Sequence, residues 1–188
     1  DIPIGFMDVA VEGGREAEKQ VRRQLPGKSS SVFSAPCRAA LSASDHSEAS
    51  ALNRANSSAP GIGLSRQSAA IIPKMREVDQ FISPARQLQF FETHPELIFS
   101  IMNGGKPVLS KKRQLAGRNE RIHLLRLNGF PVDHARQHIP SRGQWAWDDL
   151  IDACACAWSA RRILEGRSLR FPADPPRDAR GLRMEINA

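Results

Sequence analysis

Asp148, Asp149 and Asp152 stand at the head of the most apolar, small-residue-rich stretch of the chain, WAWDDLIDACACAWSA at 145–160. On a helix, Asp152 shares a face with Asp149 three residues before it and with Asp148 four before it, so these carboxylates repel. Acids in a first helical turn accept unsatisfied backbone N–H groups and suit the positive end of the helix dipole. That accounts for one or two of them; the third calls for solvent or a cation. Two more acids fall at apparent strand ends, Asp1 before IPIG and Glu92 after LQFF. Hard divalent cations such as Mg²⁺ or Mn²⁺ take carboxylate oxygens. Two such ions can clamp a phosphodiester during in-line attack by water. Asp1, Glu92, Asp149 and Asp152 are therefore the candidate ligands, although each also has an ordinary structural reading as a strand-end or helix-end acid.

The elements that must position these acids read as follows. DIPIG has the pattern of a strand end running into a turn, and residues 12–25 form a short polar helix closed by Pro26 and Gly27. Residues 39–63, rich in Ala, Ser and Asn, suggest a mobile insertion around a weak helix, DHSEASALNRAN. Ser65 caps a helix whose stripe is Ile71, Met75, Val78 and Ile82, with Pro73 as a kink. LQFF at 88–91 has strand length, and Pro95 opens a helix that Asn103-Gly104-Gly105 stops. Glu92 and His94 thus sit at a strand-to-helix junction, where open α/β sheets place their chemistry. SKK begins a basic loop, a helix follows through Ile122 and Leu125, PVDHARQHIPSRGQ is loop-like, residues 148–164 form one helix, and GLRMEI alternates as an edge strand. Strands alternating with helices predict an α/β fold.

Composition narrows the partners. The chain has 188 residues, 40% hydrophobic and 25% charged, which suits one globular domain. Its net charge is +7, and only six of the 27 basic residues are Lys; Arg is the better fork for phosphate, so a polyanion such as nucleic acid is favoured. Genome composition alone also produces an Arg bias. Three cysteines, an odd number, argue for a reducing, cytoplasmic setting rather than a disulfide framework. No apolar run reaches membrane-spanning length, and the first residues are not a signal peptide.

The ordered set DIPIG, SSSVFSAPCR, GIGLSRQ, PKMREVD, FETHPELIF, SKK with a following Gly, RIHLL, DDLIDA and GLRMEI resembles domain of unknown function family 429, ribonuclease-H-like predicted nucleases related to Holliday-junction resolvases. The resemblance spans essentially the whole chain. It implies a single domain over 1–188 with a ribonuclease-H-like mixed sheet flanked by helices. It further implies an Mg²⁺- or Mn²⁺-dependent nuclease with a two-metal mechanism, in which Asp1, Glu92, Asp149 and Asp152 carry the metal and the catalysis. Glu92 and Glu96 match the family's E-x-HPE block, and Lys111 and Lys112 its basic pair. These lysines, with His94, are the candidates for nucleic-acid contact; His94 also has a plainer reading as a junction histidine satisfied by backbone. Ser65 and Gln67 match a recurrent segment without a named role. Ala153, Cys156 and Ala160 are expected to seat the last helix on the sheet. Relatives carry further strands upstream of DIPIG, so the chain is expected to be N-terminally truncated, with an exposed sheet edge open to self-association. The competing readings are a non-catalytic nucleic-acid-binding module and a hydrolase or transferase of a small phosphorylated metabolite.

Overall fold

PELIFSIM is apolar nearly all round, and a helix of that composition must be buried. In the computed structural model, which describes residues 1–58, 61–137 and 146–188, this stretch is helix α5 (Pro95–Met102), with Ile98 and Phe99 fully buried. Around it pack α1 (Glu16–Gln24), α6 (Leu115–Leu127) and α8 (Trp147–Leu164), and α7 (Val132–Gln137) leans on α6 and α8. Val21 and Leu25 from α1 and its end, Leu124 and Leu125 from α6, and Ile151, Cys154 and Trp158 from α8 complete this core. A second core joins Phe6, Leu41, Ala49, Ile72 and Met75 beneath α2 (His46–Ala55), α3 (Arg66–Ala70) and α4 (Ile72–Phe81).

The expected α/β fold is not what forms. The described residues make eight α-helices and a single two-stranded antiparallel sheet, β1 (Arg170–Phe171) against β2 (Ile186–Asn187), instead of a ribonuclease-H-like mixed sheet flanked by helices. The reason is visible in the hydrogen bonds. Extended segments here are satisfied by side chains, where a sheet would use neighbouring strands. The Ile4 amide donates to Glu92 Oε2 at 2.7 Å, and Arg15 Nη1 donates to the Ile4 and Gly5 carbonyls at 2.8 and 3.0 Å. The Phe6 amide donates to Asp178. Gln87 makes both bonds a strand would make to Arg183: its Nε2 donates to the Arg183 carbonyl at 2.7 Å, and its Oε1 accepts from the Arg183 amide at 2.8 Å. LQFF is accordingly no strand. Arg86–Leu88 is a 3₁₀ turn, with Leu88 69% exposed and Phe90 edge-on to Phe81. Of GLRMEI only Ile186 lies in a strand, β2, which β1 flanks on one side and a bridge from Asn187 to Thr93 on the other.

Smaller differences follow the same logic. Pro73 does not kink a helix interior; the chain breaks at Ile71, and Pro73 lies in the first turn of α4, where its missing N–H costs nothing. The 39–63 segment contains α2, capped by Asp45 and burying Ala49 and Asn53. Within the stretch read as a loop, 132–137 is α7, while 138–145 lies outside the described residues. The helix expected over 148–164 is present as α8. Its buried face is Ile151, Cys154, Ala155, Trp158 and Ser159; of the small residues expected to meet a sheet, Ala153 and Ala160 are exposed, while Cys156 is half-buried against the core with Thr93 Oγ1 donating to its Sγ at 3.3 Å. All three cysteines are free thiols, and no described helix is long and apolar enough to cross a membrane.

Candidate functional site

The first turns of α8 divide the three aspartates by role. Asp149 sits at the third helical position and accepts from the Ala146 amide at 3.0 Å, closing the helix start. Asp148 lies 3.8 Å from the exposed guanidinium of Arg113. Asp152, one turn further on, points into an open cavity of about 440 Å³. There its Oδ2 accepts from Lys112 Nζ at 2.6 Å. Burial pushes the Asp152 carboxyl above its ordinary pKa against the pull of Lys112, and nearby Glu96 adds to the rise.

Four sequence-distant segments meet around that cavity. Gln67 comes from α3, His94 and Glu96 from the start of α5, Lys112 from the loop before α6, and Asp152 from α8; Asp1, Ser30 and Ser31 complete the polar lining. Ser65 caps α3 by accepting from the Ser68 amide at 3.0 Å, which fixes the helix that carries Gln67. His94 is the cap of α5: its Nδ1 accepts from the Leu97 amide, and its Nε2 contacts the Ser31 carbonyl at 3.2 Å. Both ring nitrogens therefore serve backbone groups, as the plainer reading had it. Burial lowers the imidazole pKa, and these partners suit the neutral Nε2–H form.

Arg121 is a site residue that sequence reasoning passed over. Fully buried, it donates through Nη2 to both oxygens of Glu96, at 2.9 and 2.8 Å, and through Nη1 to the carbonyls of Ser110 and Gly117. It thereby ties the cavity's acidic wall to the loop that presents Lys112. The signal was available: Gly117, Arg121, Leu124 and Leu125 follow one helical stripe, and an Arg inside an apolar stripe needs a buried carboxylate. Lys111 is exposed beside Lys112.

Glu92 does not join Asp152. Fully sequestered, it accepts from Arg15 Nη1 at 3.0 Å and Nη2 at 2.6 Å, and Arg15 Nε also donates to Glu18 at 2.6 Å. Burial alone drives Glu92 toward its protonated form, yet both its oxygens hold donors that a carboxylate satisfies. Burial likewise opposes the Arg15 charge, but Glu18 and Glu92 outweigh it and raise the guanidinium pKa. Glu92 lines only a cleft of about 20 Å³, shared with Asp1 and His94. Each of these acids thus has its own partner: Arg15 for Glu92, Lys112 for Asp152, Arg121 for Glu96 and a backbone amide for Asp149. Among the described residues no three of His, Cys, Asp or Glu gather where a metal ion could be held. Asp1, Glu92, Asp149 and Asp152 do not fit the carboxylate cage of a two-metal centre.

The family model described as a protein of unknown function, DUF429, matches residues 1–177. The chain belongs to the DUF429 family. No curated protein and no solved structure matches it. In this DUF429 chain, GIGLSRQ, FETHPELIF, SKK, RIHLL and DDLIDA each contribute to one cavity or its supporting shell.

Proposed function

We propose that this DUF429 protein is a nuclease that hydrolyses phosphodiester bonds of nucleic acid at the cavity shared by Gln67, His94, Glu96, Lys112 and Asp152. The observation that carries the reading is the convergence of these five residues, from four distant segments, on one open concave site. Lys112 supplies a flexible cation for a phosphate oxygen. Asp152, its pKa raised by burial, is poised to take a proton from an attacking water. The water oxygen forms the new P–O bond as the ester P–O bond breaks, and solvent protonates the leaving alkoxide. His94 and the Arg121–Glu96 pair hold the walls in place. Exposed Lys111 and Arg113 beside the cavity, with the net charge of +7, offer a path for the rest of the polyanion. The free thiols suit a reducing, cytoplasmic setting.

Incubation with single-stranded, duplex and branched nucleic acid, with chelator and separately with Mg²⁺ or Mn²⁺, tests the proposal. Cleavage by the parent protein, abolished by Asp152→Asn and by Lys112→Ala with helicity retained, is the expected result. Inertness toward all three substrates contradicts it. The size of the cavity favours a second reading, hydrolysis of a small phosphorylated metabolite. Turnover of bis(4-nitrophenyl) phosphate or 4-nitrophenyl phosphate, lost in the same variants and without nucleic-acid cleavage, selects that reading.

A further inference from the structure

Among the described residues lining the cavity, Lys112 is the only Lys or Arg, and its ammonium is already held by Asp152 at 2.6 Å. Glu96 on the same wall is matched from behind by Arg121, and Asp1 adds another carboxylate at the rim. Among the described residues lining the cavity, no side-chain cation other than this committed ammonium awaits an arriving anion. The backbone behind Lys112 is fixed, because Arg121 holds the Ser110 carbonyl and Gly117 packs against Lys111. The Lys112 side chain can leave Asp152 without moving that backbone: it is 40% exposed, on a four-carbon stem with three donors, while Asp152 is 18% exposed.

We propose that the Lys112–Asp152 pair is a latch opened by a tetrahedral oxyanion, the substrate phosphate on the functional reading above. An anionic oxygen takes the place of Asp152 on Lys112 Nζ, and the same exchange leaves Asp152 beside the bound phosphate without its cation. Arrival of the phosphate and release of the base are then one event. Until it occurs, the base stays paired. The carboxylate competes with the anion for one ammonium, so removing its charge must tighten anion binding even though it removes the proposed base.

The probe is sulfate, a tetrahedral dianion, titrated into the full chain and followed by calorimetry or amide chemical shifts. Asp152→Asn is expected to bind sulfate about twofold to fivefold more tightly, the range set by a partly exposed ion pair. Lys112→Met loses the site, and the double variant behaves as Lys112→Met. Asp149→Asn makes the same charge change on the same helix without touching Lys112, and leaves the affinity unchanged. An unchanged or weaker affinity in Asp152→Asn, an equal gain in Asp149→Asn, wild-type affinity in Lys112→Met, or no sulfate binding by any variant overturns the latch. Nucleic-acid cleavage is the separate readout for the function. Cleavage without the tightening removes the latch alone, and tightening without cleavage of any phosphate ester removes the hydrolase reading while the latch stands.

Discussion

Gly117 lies directly against Lys111: a Cβ at position 117 would meet the Lys111 carbonyl oxygen at 2.3 Å and its carbon at 2.7 Å. The neighbour is backbone, so a side chain there has to move the loop that presents Lys112. Gly to Ala inside a helix ordinarily stabilises by about 0.5–1 kcal/mol. Here the overlap reverses the sign, and Gly117→Ala is expected to cost about 1–3 kcal/mol as an overpacked contact. Urea denaturation reads this directly. A stabilised Gly117→Ala would show that the loop is not seated as described.

Arg15 neutralises two buried carboxylates, Glu18 and Glu92, and also binds the Ile4 and Gly5 carbonyls. Arg15→Met strands both acids in the interior, and the expected loss is about 3–5 kcal/mol. Glu92→Gln keeps Arg15 partnered by Glu18 and costs less. The order of the two denaturation midpoints checks the assignment of Glu92 as a structural acid. A Glu92→Gln protein with parent stability and no cleavage activity would return Glu92 to the catalytic set.

His94 gives the stability a pH dependence of known sign. Its native pKa is lowered by burial, whereas the unfolded imidazole titrates near 6.5. Below that value the unfolded chain binds a proton that the folded chain refuses, so this contribution falls as the pH drops toward the native pKa. Denaturation measured between pH 8 and pH 5.5 should show the decline, and His94→Asn, which keeps a capping side chain, should flatten it. Equal slopes in the two proteins would mean that His94 is not held neutral.

Asp149, expected among the metal ligands, instead closes the start of α8, while Asp148 pairs with a surface arginine. Asp149→Ala removes the bond to the Ala146 amide and is expected to cost about 1 kcal/mol. Asp148 faces only an exposed Arg113 at 3.8 Å, so Asp148→Ala should cost a few tenths of that. Thermal unfolding of the two variants side by side checks the order.

What was legible in the sequence was local. The apolar period of α8, the Pro95 start and the Asn103-Gly104-Gly105 stop of α5, and the polar face of α1 each depend on residues within a few turns. The expected sheet does not form because these alternating segments satisfy their backbone groups through distant side chains. Ile4 meets Glu92 88 residues away, Phe6 meets Asp178 172 away, and Gln87 meets Arg183 96 away. Nothing in DIPIG or GLRMEI distinguishes a side-chain partner from a strand. In the same way, type and motif single out Asp152, Lys112 and His94, which line one cavity, but not the withdrawal of Glu92 into a pair with Arg15. Arg121 and Gly117 were readable as exceptions on an apolar stripe.

On the proposed function, the scattered motif residues serve one phosphate-binding site. Amide chemical-shift mapping with a 5′-phosphorylated oligonucleotide that carries uncleavable phosphorothioate linkages tests it most directly. The predicted result is a contiguous set of shifts at Gln67, His94, Glu96, Lys111–Lys112 and the first two turns of α8, absent in Lys112→Met. Shifts confined to other faces of the molecule, such as the Phe81–Phe90 surface, or a pattern unchanged in Lys112→Met, would contradict it.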